Sequence, residues 1–467
     1  MKRSLFLAPA LLALAACGVT PTYVRPAVAA PASFEEDGPW RLARPGMADD
    51  RSPWWQAYGD PQLDALVTRA VGANQTLKGA EAQLRQSQAL AQSAASAWWP
   101  TLGVTGQATR QRAANQGGGA QTYETRAGAL QASWEPDFWG RVRASTDAAD
   151  ATARASEADL AAARLTVQAS VVNLFAQIRV NDALIEALQR TIDGYAKSLK
   201  IAQSQLRAGV ATPADVALAQ STLASAQAQL VDVQLARKQG EHALAVLLGV
   251  APADFHLPAA ALTLNLPVMP PQLPSQLLER RPDISAAESR VQAANAQIGV
   301  ARAAWFPHLV FDASGGGTAL GLWTSAPQRV WALGAALTGT LFDGGQRAAQ
   351  NAQAEAAFDQ QVAGYRQTVL GSFQEVEDNL AALRELATER DFQEQALAAA
   401  RESERVLLRQ YQAGTTTYVS VINAQALSLN AERTLVQLRG REFAASVALT
   451  KALGGGYSST QQASTNN

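Results

Sequence analysis

One cysteine and three histidines stand among the 467 residues, so thiol and metal chemistry can be weighed residue by residue. Cys17 closes Leu14-Ala15-Ala16-Cys17, behind Lys2, Arg3 and an apolar run from Leu5 to Ala16. A positive start, an apolar core and small residues at the cut mark a secretory leader. A cysteine at the cut is the pattern of a bacterial lipobox, in which the thiol receives lipid. Residues 1–16 are therefore read as a lipoprotein signal peptide and Cys17 as the acylated first residue of the mature chain. That lipid is the sole covalent group expected; no cofactor is predicted. With its thiol used, the chain has none left for disulfides or thiol catalysis. His242, His256 and His308 have no second histidine or cysteine at ligand spacing, which argues against a metal centre. Gly117-Gly118-Gly119 lacks the helix context and the lysine of a phosphate cradle. No Gly-x-Ser-x-Gly elbow occurs. Glu375, Glu377 and Asp378 read as a solvated helix face. No residue is a candidate for catalysis, and an enzyme is not expected.

The elements around these residues point to a membrane instead. Lys plus Arg (39) nearly cancels Asp plus Glu (40), and without a basic stripe nucleic acid is not a partner. Past Cys17 no apolar run reaches the roughly 18 residues of a spanning helix, so any crossing must use strands. Two stretches, from about Gly140 to Leu206 and from Gly345 to Tyr411, contain no proline. As helices of roughly 65 residues they would each run about 100 Å. In the first, Val167, Val171, Leu174, Ile178, Ile185, Leu188, Ile192, Tyr195, Leu199, Ala202 and Leu206 keep a 4-3 alternation, with Asn181 the polar member. Such heptads require equally long helical partners. The first stretch ends at Arg207-Ala208-Gly209-Val210-Ala211-Thr212-Pro213. Gly209 suits a left-handed cap and Thr212-Pro213 the start of a new helix, so the chain returns antiparallel.

Before each long helix lies a pair of strand-like segments. Leu102, Val104, Gly106 and Ala108 alternate with small or polar residues, and so do Trp331, Leu333, Ala335 and Leu337, the clearest lipid-facing stripe. Gly117–Gly119 and Gly315–Gly317 are read as the loops of two membrane hairpins. Trp98, Trp99, Trp305 and Phe306 would form an aromatic girdle where strands meet helices. Shifted by about 206 residues, the landmarks coincide. Ala97-Trp98-Trp99-Pro100 answers Ala304-Trp305-Phe306-Pro307, and Ala208-Gly209 answers Ala413-Gly414. The predicted organisation is an extended arm over 17–61, a first repeat over 62–273, a second over 274–454 and a disordered tail over 455–467. The first repeat holds one helix from Gln62 to Ala97, a hairpin at 99–137, a long helix at 140–206, a return helix at 213–248 and a proline-rich connector. The second holds a helix, a hairpin at 306–342, a long helix at 345–411 and a return helix at 418–453. Four strands cannot close a barrel, and an open edge cannot sit in lipid. Several chains must share one barrel, and three copies would give twelve strands.

These residues resemble the TolC-like outer-membrane factors, and among them the lipid-anchored channels of tripartite, resistance-nodulation-division type efflux pumps. The resemblance rests on Trp54-Trp55, Tyr58-Gly59-Asp60-Pro61, Leu63, Asn74 and Leu77. It rests most on Leu277-Leu278-Glu279-Arg280-Arg281-Pro282-Asp283-Ile284, with Ala287-Glu288, Asn295, Ile298-Gly299, Ala301 and Phe306-Pro307 following. It implies a mixed α+β membrane protein, mostly α: a homotrimer with a twelve-stranded β-barrel in the outer membrane and a twelve-helix α-barrel in the periplasm. It also implies a passive exit duct for drugs or other small molecules, supplied by an inner-membrane efflux pump through a periplasmic adaptor (membrane fusion) protein. The adaptor would meet the tips at Arg207, Ala208, Gly209, Val210, Gln412, Ala413, Gly414 and Thr415. The periplasmic gate would involve Asp215, Tyr411, Thr416, Val419, Ser420 and Asn423. Where relatives carry acids, Ser420 and Asn423 stand here, and some relatives place an arginine near Thr416. Closure is expected to rely on Val419 packing and neutral hydrogen bonds. Type I protein secretion, metal efflux and a pore-free lipoprotein scaffold are the alternatives, the last disfavoured by the strand pairs.

Overall fold

The computed structural model describes residues 19–29, 34–35, 53–114, 118–267, 280–320 and 328–455. Cys17, the leader and the tail from 456 lie outside the described residues. The chain divides into two compact units. One comprises Gln83–Glu157 and Ala286–Arg366 with the residues up to Ala27. The other comprises Val28–Ala82, Ala158–Ser285 and the chain from Gln367 onward.

In the first unit, β1 (Thr101–Ala114), β2 (Ala120–Trp134), β3 (His308–Leu320) and β4 (Gln328–Thr338) form one antiparallel sheet in the order β1-β2-β3-β4. The two hairpins thus pair with each other through β2 and β3. Gly315–Gly317 are not a loop, as their sequence suggested, but lie inside β3. At Gly316 a Cβ would overlap the Gly128 carbonyl oxygen and Ala129 of β2. Glycine is needed there for close approach of the backbones, not for a turn. An aspartate starts each long helix. Asp137 accepts from the Val142 and Arg143 N–H groups at the start of α3 (Arg141–Arg207). Asp343 accepts from Gly345 and Arg347 at the start of α6 (Gln346–Gln412). Both helices run 67 residues unbroken. The N-terminal arm is seated on α5 (Pro282–Ala303). A Cβ at Gly299 would overlap Thr20, Asn295 Nδ2 donates to the Pro21 carbonyl at 2.9 Å, and Arg25 pairs with Glu288 at 2.6 Å.

The second unit is built on the middle of α3. Of the predicted heptad seam Val167, Val171, Ile178, Asn181, Leu188, Tyr195 and Ala202 are buried, whereas Leu174, Ile185, Ile192, Leu199 and Leu206 are half-buried. A second face is buried with it, including Val172, Phe175 and Leu184. Tyr58, Leu63, Val67, Leu77, Leu244, Leu248, Leu257 and Phe443 close over it. One predicted helix over 62–97 is in fact two, α1 (Pro61–Ala73) and α2 (Gln75–Ala95). Asn74 breaks the run. Its backbone is extended (φ −62°, ψ 127°), its Oδ1 accepts from Leu77 N at 3.1 Å, and its Nδ2 donates to the Leu247 carbonyl at 2.9 Å. A buried asparagine that caps one helix and ties down another outweighs the weaker preference for continuing. The predicted arm also ends earlier than residue 61. Trp54–Tyr58 form a 3₁₀ turn whose Tyr58 is buried, and Asp60 caps α1 through Gln62 and Leu63. Burial pushes the Tyr58 hydroxyl up to about 12, and it bonds Ser446 at 3.1 Å. The return helices are α4 (Pro213–Leu247) and α7 (Tyr418–Ala452), each 35 residues long.

Candidate functional site

Three sets of residues bear on passage through a membrane: the faces of the sheet, a buried polar network, and the helix tips. Register determines the faces, because alternate residues of a strand point to opposite sides. Leu102, Ala132, Ala313 and Leu333 share one row, and Val104, Leu130, Gly315 and Trp331 the next. Trp134, Phe311 and Ala335, then Leu309 and Leu337, continue this apolar face toward the helices. Val104 is 79 % exposed and Trp331 78 %, an apolar surface too continuous to face water. The opposite face carries Thr101, Ser133 and Asp312, then Gln131 and Ser314.

Trp98, Trp99, Trp305 and Phe306 all stand exposed just before β1 and β3. They are joined by aromatics that the sequence did not single out. Trp134 Nε1 donates to the Trp98 carbonyl at 3.0 Å, and Trp139 stacks on Phe306 at 4.8 Å. The Arg347 guanidinium lies 4.8 Å from the Trp305 ring centre. The signal was present in Trp134 closing an alternating strand and in Trp139 beside Gly140.

The polar network was not foreseen. Arg179, 2 % exposed, donates to Asp182 at 3.0 Å and to the Pro258 carbonyl at 2.8 Å. Arg237 bridges Asp182 and Glu241 and donates to the Leu257 carbonyl at 2.7 Å. Glu241 accepts from Leu257 N at 2.9 Å, and Asp182 from Ala260 N at 3.2 Å. Buried charges are tolerated when they are paired and their remaining valences filled. Here they pin the proline-rich connector across α3 and α4. The sequence signal was a pair of opposite charges at helical spacing, Arg179 with Asp182 and Arg237 with Glu241, within otherwise buried faces. The acidic cluster is likewise not merely a solvated face. Glu375 accepts from Arg281 at 2.8 Å, and Glu377 accepts from the Glu35 N–H at 2.8 Å. Arg281, buried, also donates to the Ala452 carbonyl at the end of α7. That explains part of the Arg280-Arg281-Pro282-Asp283 signature.

At the first tip, Arg207, Ala208, Gly209 and Val210 are exposed, with Gly209 at φ +75°. At the second, Gln412, Ala413, Gly414 and Thr415 are exposed, with Gly414 at φ +77°. Of the residues expected at a gate, Asp215 is engaged in a capping box with Thr212. Tyr411 and Tyr418 are both buried, with ring centres 5.3 Å apart, in a cluster with Ala202, Ala219, Val421 and Ile422. Burial raises both hydroxyls above the ordinary tyrosine range, Tyr418 to about 12. Thr416 is half-buried, Val419 is 48 % exposed and Asn423 is exposed. Within the chain, packing at this tip is therefore done by the tyrosines and not by Val419. Ser420 Oγ lies 3.1 Å from Thr417 Oγ1.

Comparison with known proteins agrees with this arrangement. Residues 66–250 and 273–455 match the family described as outer membrane efflux protein. The chain is 33 % identical to the pyoverdine export outer membrane protein OpmQ of Pseudomonas aeruginosa, over 98 % of each chain. It is 29 % identical to the toluene efflux pump outer membrane protein TtgC of Pseudomonas putida, over 99 % of this chain and 97 % of that one. It superposes on the outer-membrane channel OprN with a TM-score of 0.86 at 28 % identity, over 94 % of this chain and 99 % of the other. The two matched segments each span a strand pair, a long helix and its return, and the chain belongs to the outer membrane efflux protein family.

Proposed function

We propose that three copies of this chain close a twelve-stranded barrel in the outer membrane and continue it as a twelve-helix tunnel in the periplasm. The assembly is the exit duct of a tripartite efflux system, taking small molecules from an inner-membrane pump and a periplasmic adaptor. The observation that carries this reading is the four-stranded sheet with one exposed apolar face and two outer strands, β1 and β4. An unpaired strand edge in lipid costs several kcal/mol per unsatisfied backbone group, and single-chain bacterial barrels need about eight strands or more. Three chains supply twelve strands and leave no edge. Light scattering or native mass spectrometry in detergent tests it; a stable monomer rich in membrane β-structure would refute the shared barrel.

Relatives named for pyoverdine and for toluene align along nearly the whole chain, so we assign the duct no selective pocket. The exposed tips, Arg207–Val210 and Gln412–Thr415, are the adaptor-contacting surface in this reading. Cys17 carries the lipid. Two residues separate it from Thr20, a reach of at most about 11 Å over three steps of the chain. The seat of Thr20 on Gly299 therefore keeps the acyl chains close to the end of α5 that leads into β3. Intact-mass measurement of membrane-extracted protein decides this, and an unmodified Cys17 would end it.

The gate lies at the second tip, with Asp215, Tyr411, Thr416, Ser420 and Asn423 around the closure. No acid stands at Ser420 or Asn423, so block by divalent cations is weak and strengthens in Asn423→Asp. Bilayer conductance with and without a divalent cation measures it; equal block in both proteins removes Asn423 from the pore wall.

A further inference from the structure

Beyond the apolar band, toward the turn between β1 and β2, the lipid-side face changes character. The next rows are Gly106-Gly128-Gly317-Arg329, Ala108-Arg126-Ala319, Arg110-Glu124 and Arg112-Thr122. Four arginines and one carboxylate follow directly on the last apolar row, which ends in Trp331. Arg110 Nε lies 3.4 Å from Glu124 Oε1, so that pair offsets one charge and leaves the face positive. The opposite face of the same rows carries no Asp, Glu, Lys or Arg. Positive charge is therefore confined to the side that faces lipid and is absent from the side that faces the passage.

We propose that Arg110, Arg112, Arg126 and Arg329 form a belt that binds the phosphate-bearing headgroups of lipid in the outer leaflet. The proposal rests on the barrel reading, which puts the helix-side ends of the strands in the periplasm and these rows at the outer surface. Guanidinium is the side chain whose planar fork matches phosphate. Strands about 4.8 Å apart with about 3.4 Å per residue put Arg110 and Arg126 roughly 8 Å apart, and Arg126 and Arg329 roughly 12 Å. Separate phosphates of one headgroup can each meet an arginine at that spacing. The small side chains between them leave the sheet surface open for a headgroup to approach.

The test uses the full-length lipidated protein in nanodiscs, with bis-phosphorylated lipid A and its dephosphorylated form as probes. Native mass spectrometry counts the molecules retained per assembly. The wild type should retain the phosphorylated lipid preferentially. Arg112→Gln, Arg126→Gln and Arg329→Gln should each weaken that retention by roughly fivefold. Equal retention of the two lipids by the wild type overturns the proposal without recourse to any variant. Displacement by inorganic phosphate at concentrations matching the lipid also overturns it, in favour of a simple ion site. Single-channel conductance separates the two levels of failure. Lost lipid preference with conductance intact rejects the belt alone, whereas a wild type that never conducts rejects the duct.

Discussion

At the first tip the chain turns through Gly209, whose N–H reaches the Leu206 carbonyl at 3.0 Å, while Val210 N reaches Gln205 O at 2.9 Å. At the second it turns through Gly414, with the N–H on the Tyr411 carbonyl at 3.0 Å and Thr415 N on Gln410 O at 2.9 Å. These two backbone bonds are the same at both tips, while Ala211 N also reaches Gln205 O at 3.3 Å at the first tip alone. The closures differ. Thr212 accepts from Asp215 N at 3.2 Å and Asp215 Oδ2 accepts from Thr212 N at 2.9 Å, a reciprocal capping box behind Pro213. Thr417 occupies the same place before α7 but makes no side-chain cap to the backbone, and Ser420 stands where Asp215 does. The second tip instead buries Tyr411 against Tyr418. A left-handed glycine is enough to make the turn; what each tip costs to open is set by the residues flanking it. The first is held by its own cap, the second by aromatic packing against neighbouring helices.

Removing the aromatic packing should have the largest effect. Tyr418→Ala leaves a cavity in the tip and should lower its local stability by roughly 3–5 kcal/mol. Hydrogen exchange should quicken around 405–425, and the channel should open more often. Leu206→Ala, at a half-buried position of the first tip, should cost clearly less. Equal loosening at both tips would erase the distinction.

Next in size is the cap. Thr212→Ala should cost about 0.5–2 kcal/mol, seen as faster exchange in the first turn of α4. Thr417→Ala should change the first turn of α7 little, since no backbone bond is lost there. A large effect of Thr417→Ala would mean that the second tip is capped in the assembly.

The comparison can also be sharpened by building the missing box. Ser420→Asp restores an acid in the first turn of α7, worth about 0.3–1 kcal/mol against the helix dipole. Slower exchange in that turn and less frequent opening are expected. Unchanged opening would separate capping from gating.

The smallest effect at neutral pH is the titration of the tyrosines. A folded-state pKa raised above the ordinary value of about 10 means that the folded tip holds the proton more tightly. The contribution is complete below about pH 10. It is lost as pH rises through about 12 for Tyr418. The second tip should therefore loosen in alkali before the first, read as conductance between about pH 10 and 12. Tyr411→Phe should reduce the slope, and an unaltered slope would place its origin elsewhere.

The features legible in the amino-acid order are those decided within a few residues. Heptad spacing and the absence of proline marked the long helices, which end within a residue of the expected bounds. Gly209 with Thr212-Pro213, and Gly414 with Thr417, marked the turns because caps and left-handed glycines act locally. Alternation marked the strands, since side chains leave a strand on alternate sides whatever the partner. Tertiary structure decided what depends on which elements meet. Gly316 reads as a loop residue until β2 lies against it. Asn74 reads as one residue of a helix until the end of α4 supplies a carbonyl for its amide. Arg179 and Asp182 show as a charge pair at helical spacing but gain their carbonyl and N–H partners only when the connector covers them, and Glu288, Asn295 and Gly299 read as a bare signature until the N-terminal arm lies on them. Each of these joins residues about 80 to 280 positions apart. Desolvation and close contact at such separations arise only once the chain has folded, so no local period in the sequence can announce them.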